Sequence, residues 1–109
     1  MKITFKDKSV RELCEKQAVA VKKLGPPCAK KLRSRLDDLD AAEHVSDLIA
    51  GNPHPLKGNR LGQFALDLTG GFRLVFKSAN DPIPRHEDGG IDWTRVTIVC
   101  IEFIGDYHD

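Results

Sequence analysis

Gln63-Phe64-Ala65-Leu66-Asp67-Leu68-Thr69-Gly70-Gly71-Phe72-Arg73-Leu74-Val75-Phe76-Lys77 is the stretch on which the fold turns. Phe64, Leu66 and Leu68 alternate with Ala65 and Asp67, and beyond two glycines Phe72, Leu74 and Phe76 alternate with Arg73 and Val75. A period of two sends successive side chains to opposite faces of a strand, so the stretch predicts a β-hairpin. Its register follows from the loop. A two-residue Gly70-Gly71 loop would set Leu68 opposite Arg73 and mix charge into the apolar face. A loop of Thr69, Gly70 and Gly71 instead pairs Leu68 with Phe72 and Leu66 with Leu74. That register leaves Ala65, Asp67, Arg73, Val75 and Lys77 on a helix-free face where a substrate could lie.

Upstream the apolar period is helical. Ser9 and Glu12 read as a capping box opening a helix that carries Val10, Leu13, Cys14, Ala18, Val21 and Leu24 inward, ended by Gly25-Pro26-Pro27. A second helix from Pro27 buries Cys28, Leu32, Leu36 and Leu39. Its other face carries Lys30, Lys31, Arg33 and Arg35, a basic cluster suited to contact with a polyanion. Asp40 and Glu43 suggest a third, short helix with Ala42, Val45 and Ile49 inward, ended by Gly51. Lys2 to Phe5 alternates as a first strand. Val96 to Ile104, apolar on both faces, reads as a central strand with Val99, Ile101 and Phe103 on one side. If that strand stays regular, Glu102, Asp106 and His108 share a face. Residues 80–93 form a proline- and glycine-rich excursion, either an ordered flap or a disordered tip. The expectation is one α+β domain over residues 1–109, with helices packed on one face of an antiparallel sheet made from residues 1–5, 62–77 and 95–105.

Composition narrows the function classes. The chain of 109 residues has a formal charge of only +1, yet residues 1–35 hold eleven Lys or Arg against Asp7, Glu12 and Glu15. Such clustering favours a polyanion or an acidic partner. Cys14, Cys28 and Cys100 lack CxxC spacing and read as reduced core residues. The four histidines have no metal-ligand spacing, so neither a metal nor another cofactor is expected. No signal-like or membrane-spanning run is present, so a cytoplasmic protein without membrane contact is expected.

Asn52-Pro53-His54-Pro55-Leu56-Lys57-Gly58-Asn59-Arg60 places a histidine and two cations in a segment stiffened by prolines, and the chain closes on Asp106-Tyr107-His108-Asp109. RNA cleavage without a metal needs a base for the 2′-hydroxyl proton, an acid for the leaving oxygen and cations for phosphate charge. Histidine, titrating ordinarily near about pH 6.5, suits either proton-transfer role, and arginine can meet two phosphate oxygens at once. His54, His108, Lys57, Arg60 and Arg73 are therefore the candidate residues.

His54 to Leu66, then Phe72-Arg73-Leu74-Val75-Phe76, then Asp106-Tyr107-His108, with Leu32 to Ala42 upstream, resemble in this order the HigB toxins of the RelE and ParE superfamily. The resemblance implies a type II toxin that enters the ribosome and cuts messenger RNA, neutralised by a HigA-like helix-turn-helix antitoxin through which it reaches operator DNA. His54, Asp106, Tyr107 and His108 match catalytic positions, and Lys57, Arg60 and Arg73 match RNA- or phosphate-binding ones. The insertion near 80–93, and the absence of basic residues in the turn at Thr69, Gly70 and Gly71, depart from that pattern. Alternatives within the superfamily are a ParE-like gyrase inhibitor that cleaves nothing and an attenuated toxin acting mainly in a repressor complex.

Overall fold

The computed structural model describes residues 1–106. Its elements are β1 (Lys2–Phe5), α1 (Lys8–Glu15), α2 (Gln17–Leu24), α3 (Pro26–Ala41), β2 (His54–Pro55), β3 (Gln63–Asp67), β4 (Phe72–Ser78) and β5 (Ile98–Asp106). The strands form one sheet in the order β1-β5-β4-β3-β2. The hairpin has the expected register: Leu66 faces Leu74, Asp67 faces Arg73, and the Leu68 amide donates to Phe72 across the Thr69-Gly70-Gly71 loop. Gly70 supplies the left-handed residue of that loop at φ 57°.

Helices cover one face only. Cys28, Ala29, Leu32 and Leu39 of α3 and Val10 of α1 join Phe64, Leu66, Leu74, Phe76, Val99, Ile101 and Ile104 in a single buried cluster. The sheet is mixed, not wholly antiparallel. β1 runs parallel to β5, with Ile3 beside Val99 and Phe5 beside Ile101, because α1, α2 and α3 separate the first strand from the rest. A four-residue alternating segment fixes which face is buried but not which way the strand runs.

The helical expectations need three corrections. Asp7, not Ser9, caps α1: its carboxylate accepts from the Val10 amide at 3.0 Å and from the Ser9 hydroxyl at 3.2 Å. Being extended and just outside the first turn, Asp7 occupies the geometry a cap requires, and Ser9 is already helical. The first helix breaks at an extended Lys16, and the second half turns so that Ala20 is buried and Ala18 exposed. No third α-helix follows. Asp40 and Ala41 complete the last turn of α3, and only a 3-10 turn at Val45–Asp47 forms, its entry fixed by the His44 amide donating to Asp47. Val45 is buried as expected, whereas Ile49 is 90% exposed.

The excursion between β4 and β5 is an ordered flap. Asn80 closes its base, its side-chain oxygen accepting from the Thr97 and Ile98 amides. At the tip, Arg85 bridges to Ile91. Trp93 packs against Phe64 and Phe76 with centroids 4.9 and 6.5 Å away. Asp92 accepts from the Thr94 hydroxyl and pairs with Arg95 at 2.8 Å, which holds its pKa down at about 2. A carboxylate whose pKa is depressed on folding stabilises the fold above its ordinary value and loses that contribution as pH falls toward the depressed one. Trp93 is the only tryptophan, so its fluorescence reports on this flap. In wild type it should shift as pH falls from 4 toward 2, the window set by Asp92, and Asp92→Asn should show the shifted spectrum already at neutral pH.

Candidate active site

The hairpin register places the candidate residues in rows across the helix-free face. His54 is opposite Ala65, Ala65 opposite Val75, and Val75 opposite Phe103. In the next row Asp67 is opposite Arg73 and Arg73 opposite Gly105. His54, on the edge strand β2, is fixed by a 2.7 Å contact between Nδ1 and the Asn52 carbonyl. A carbonyl can only accept, so Nδ1 carries the proton and Nε2 is the nitrogen available for proton exchange. Asn52 can present that carbonyl because it adopts a left-handed φ of 48°.

Two arginines reach the same face by different routes. Arg73 projects from β4, where Nε lies 2.8 Å from Asp67 and the guanidinium also donates to the Gly70 and Phe72 carbonyls. Arg60 closes a 3-10 turn, Gly58–Arg60, that Lys57 precedes. Its guanidinium lies 4.7 Å from the Phe103 ring centroid and donates to Gln63 at 3.1 Å. Lys57 is exposed one turn earlier. His54, Arg60 and Arg73 thus share a face, with Lys57 in the connection beside them.

β5 is irregular where the sequence reading took it to be regular. Val75 pairs with Phe103 but Phe76 pairs with Ile101, so Glu102 is an extra residue in a β-bulge. The bulge turns Phe103 from the core to the helix-free face and turns Ile104 into the core. Glu102 stays on the helix-free face, 3.5 Å from Lys77 and within reach of the Cys100 thiol. Asp106, opposite Phe72, therefore has the other parity and does not share a face with Glu102. Its carboxylate sits over the turn, where a Cβ on Gly71 would meet both oxygens at 2.8 Å. Tyr107 and His108 lie outside the described residues. Cys14 and Cys28 are buried, and burial pushes the Cys14 thiol up to about 12, whereas Cys100 is only half-buried.

The basic helix cluster divides. Lys30, Lys31 and Arg33 are exposed on α3, but Arg35 is turned inward, with a side chain 13% exposed that pairs with Asp38 at 3.2 Å and packs 3.0 Å from where Gly51 would carry a Cβ. The sequence missed two features of this region: Phe103, which regular alternation assigns to the core, and a cavity of about 430 Å³ between the flap and the β2–β3 connection. That cavity is lined in part by Leu56, Leu61, Arg85, Ile91 and Trp93. Ile91 and Trp93, two large apolar residues in a polar loop, were the available signal. No helix is long and apolar enough to cross a membrane among the described residues.

These placements predict the response to a polyanion. Asp67→Asn frees Arg73 and should move elution from heparin to higher salt, whereas Arg73→Gln should lower it. Reversing Lys30, Lys31 and Arg33 together should lower it further at unchanged stability. Arg35→Ala should instead cost on the order of 1 kcal/mol in urea unfolding, through lost packing as well as lost charge.

No family model and no curated protein matches the sequence. Solved structures do. A YoeB/ParE toxin from Agrobacterium tumefaciens matches at a TM-score of 0.62 with 13% identity, covering 99% of this chain and 100% of its own. YoeB in a YoeB-YefM complex from Staphylococcus aureus matches at 0.59 with 18% identity, covering 100% of this chain and 98% of its own. A YoeB dimer from the same organism matches at 0.56, also with 18% identity and the same coverage. At these identities the likeness is one of fold, and it extends over whole chains: three helices and a five-stranded mixed sheet arranged as in the YoeB and ParE toxins.

Proposed function

We propose that this chain is the toxin of a type II toxin-antitoxin system, a HigB-type endoribonuclease that cuts messenger RNA on the ribosome. The observation that carries the reading is His54: its Nδ1–H is committed to the Asn52 carbonyl, its Nε2 is available, and it shares the helix-free face with Arg60 and Arg73. Fold likeness alone would not choose between chemistries, because one fold carries many sites.

In the proposed reaction the His54 Nε2 takes the proton of a 2′-hydroxyl, whose oxygen forms a bond to the adjacent phosphorus as the bond from phosphorus to the 5′-oxygen breaks. Arg73, released from Asp67 by the incoming phosphate, stabilises the gathering charge together with Arg60 and Lys57. His108 returns a proton to the leaving oxygen and Tyr107 stacks on a base, roles taken from the HigB resemblance; the orienting role that the resemblance gives Asp106 is not proposed, because Asp106 lies on the other parity of β5. Lys30, Lys31 and Arg33 meet ribosomal RNA. The inhibiting partner is a HigA-like helix-turn-helix antitoxin that carries the pair to operator DNA, and the complex acts in the cytoplasm. The YoeB of Staphylococcus aureus, solved in complex with YefM, supports a protein partner for this fold.

Single-turnover cleavage on programmed ribosomes tests the proposal. Wild-type protein should leave a 2′,3′-cyclic phosphate or its hydrolysis product on the upstream fragment. His54→Ala should cut the rate by about a hundredfold or more. Equal rates for the two proteins would sink the assignment of His54, and gyrase inhibition with intact messenger RNA would identify a ParE-like binder instead.

A further inference from the structure

The β-bulge at Glu102 is the one place where β5 departs from regular pairing, and its effect is to turn Phe103 out of the core. Exposing part of a phenyl ring on a central strand forgoes hydrophobic burial, so what the ring touches matters. One end of the ring lies on Gly105, where an added Cβ would stand 2.8 Å from the Phe103 Cζ. Above the ring is the Arg60 guanidinium, 4.7 Å from its centroid, with one nitrogen donating to Gln63. Ring, glycine and amide each limit one freedom of the arginine. Gly105 lets the ring sit low, the ring's negative face draws the cation, and Gln63 fixes its rotation.

We infer that Phe103 is a positioning residue that, seated on Gly105, holds Arg60 in place on the helix-free face to meet the substrate phosphate. The inference rests on the nuclease reading for its consequence but on the Phe103-Arg60 geometry for its substance. Phe103 does not touch the reacting atoms; it acts through Arg60. Arginine has four side-chain torsions to fix, so loss of the ring face removes one of the contacts that keep the guanidinium in the orientation that meets the phosphate. Gly105→Ala should disturb the same contact from below by lifting the ring.

A double-mutant cycle decides it. Phe103→Leu stays apolar but lacks the ring face, and it should lower single-turnover cleavage on programmed ribosomes by about tenfold, the range a cation–π contact spans. Phe103→Tyr should restore most of that loss. In an Arg60→Ala background, Phe103→Leu should change the rate less than about twofold, because its effect passes through Arg60. The side-chain resonances of Arg60 supply a readout independent of catalysis: the ring current of Phe103 displaces the Arg60 Nε–H and Cδ protons in wild type, and Phe103→Leu should abolish that displacement. Equal losses in the two backgrounds would show that Phe103 is only structural and would overturn the inference. An undisplaced Arg60 resonance in wild type would overturn it too. If wild-type protein does not cleave RNA at all, the nuclease reading fails alone. The positioning inference is then judged on that resonance and on the salt at which each variant leaves heparin, and it falls if Phe103→Leu moves neither.

Discussion

Burial of one sheet face beneath α3 is the constraint from which the rest of the molecule follows. Leu32 and Leu39 of α3 and Leu66, Leu74, Phe76 and Ile101 of the sheet are all 1% exposed or less. Because side chains alternate along a strand, sealing that face dictates the composition of the other. Asp67, Arg73 and Lys77 have nowhere to go but the uncovered side, and His54 joins them through its pairing with Ala65. A one-residue slip of the hairpin would bury Arg73 and expose Leu74, exchanging the charged face and the core in a single step. The register that seals the core therefore also sets the face on which His54 and Arg73 stand.

Two cations of the helix-free face are paired with carboxylates. Arg73 is held by Asp67 at 2.8 Å and Lys77 by Glu102 at 3.5 Å, and the side chains of the first pair are each about a third exposed. Pairs so exposed contribute about 0–1 kcal/mol, and a phosphate that meets an arginine through two oxygens can displace a single carboxylate contact. The internal pairs thus hold the two cations in place at small cost. The local excess of cations in residues 1–35 is a different matter. Lys30, Lys31 and Arg33 stand free of such partners in the contacts along α3, whereas Arg35 serves the interior.

How much of this was legible in the sequence depends on the range over which each feature is encoded. The hairpin, its three-residue loop and the face of Arg73 rest on local alternation and two glycines, and they were readable. The capping of α1 by Asp7 was also encoded locally but was outranked by the Ser9–Glu12 pattern, which satisfies the same rule two residues later. The parallel direction of β1 and the break at Lys16 depend on how helices travel before the chain returns, which no short window contains. The bulge is subtler. Phe103 and Ile104 are both large and apolar, so either could fill the core, and only pairing against Val75 and Phe76 chooses Ile104. Local alternation placed Arg73 on the helix-free face, whereas His54 and Arg60 reach it through the β2 pairing and a 3-10 turn that no short window specifies, and Phe103 was lost to that ambiguity.

The flap shows how a segment between two strands can steady a distant edge without being part of it. β2 is only two residues long, lies at the sheet edge and has Pro55 in the position next to His54, so its own ladder can do little to hold the histidine. Pro55 pairs with Phe64, and Phe64 is the residue against which Trp93 packs with its ring tilted by 58°. Trp93 is anchored in turn by the Asp92-Thr94-Arg95 cluster and by its carbonyl, which accepts from the Ser46 amide. Packing therefore runs without a gap from a buried carboxylate in the flap, through two aromatic rings, to the strand that carries His54. An edge strand too short to be rigid by itself borrows its rigidity from the flap.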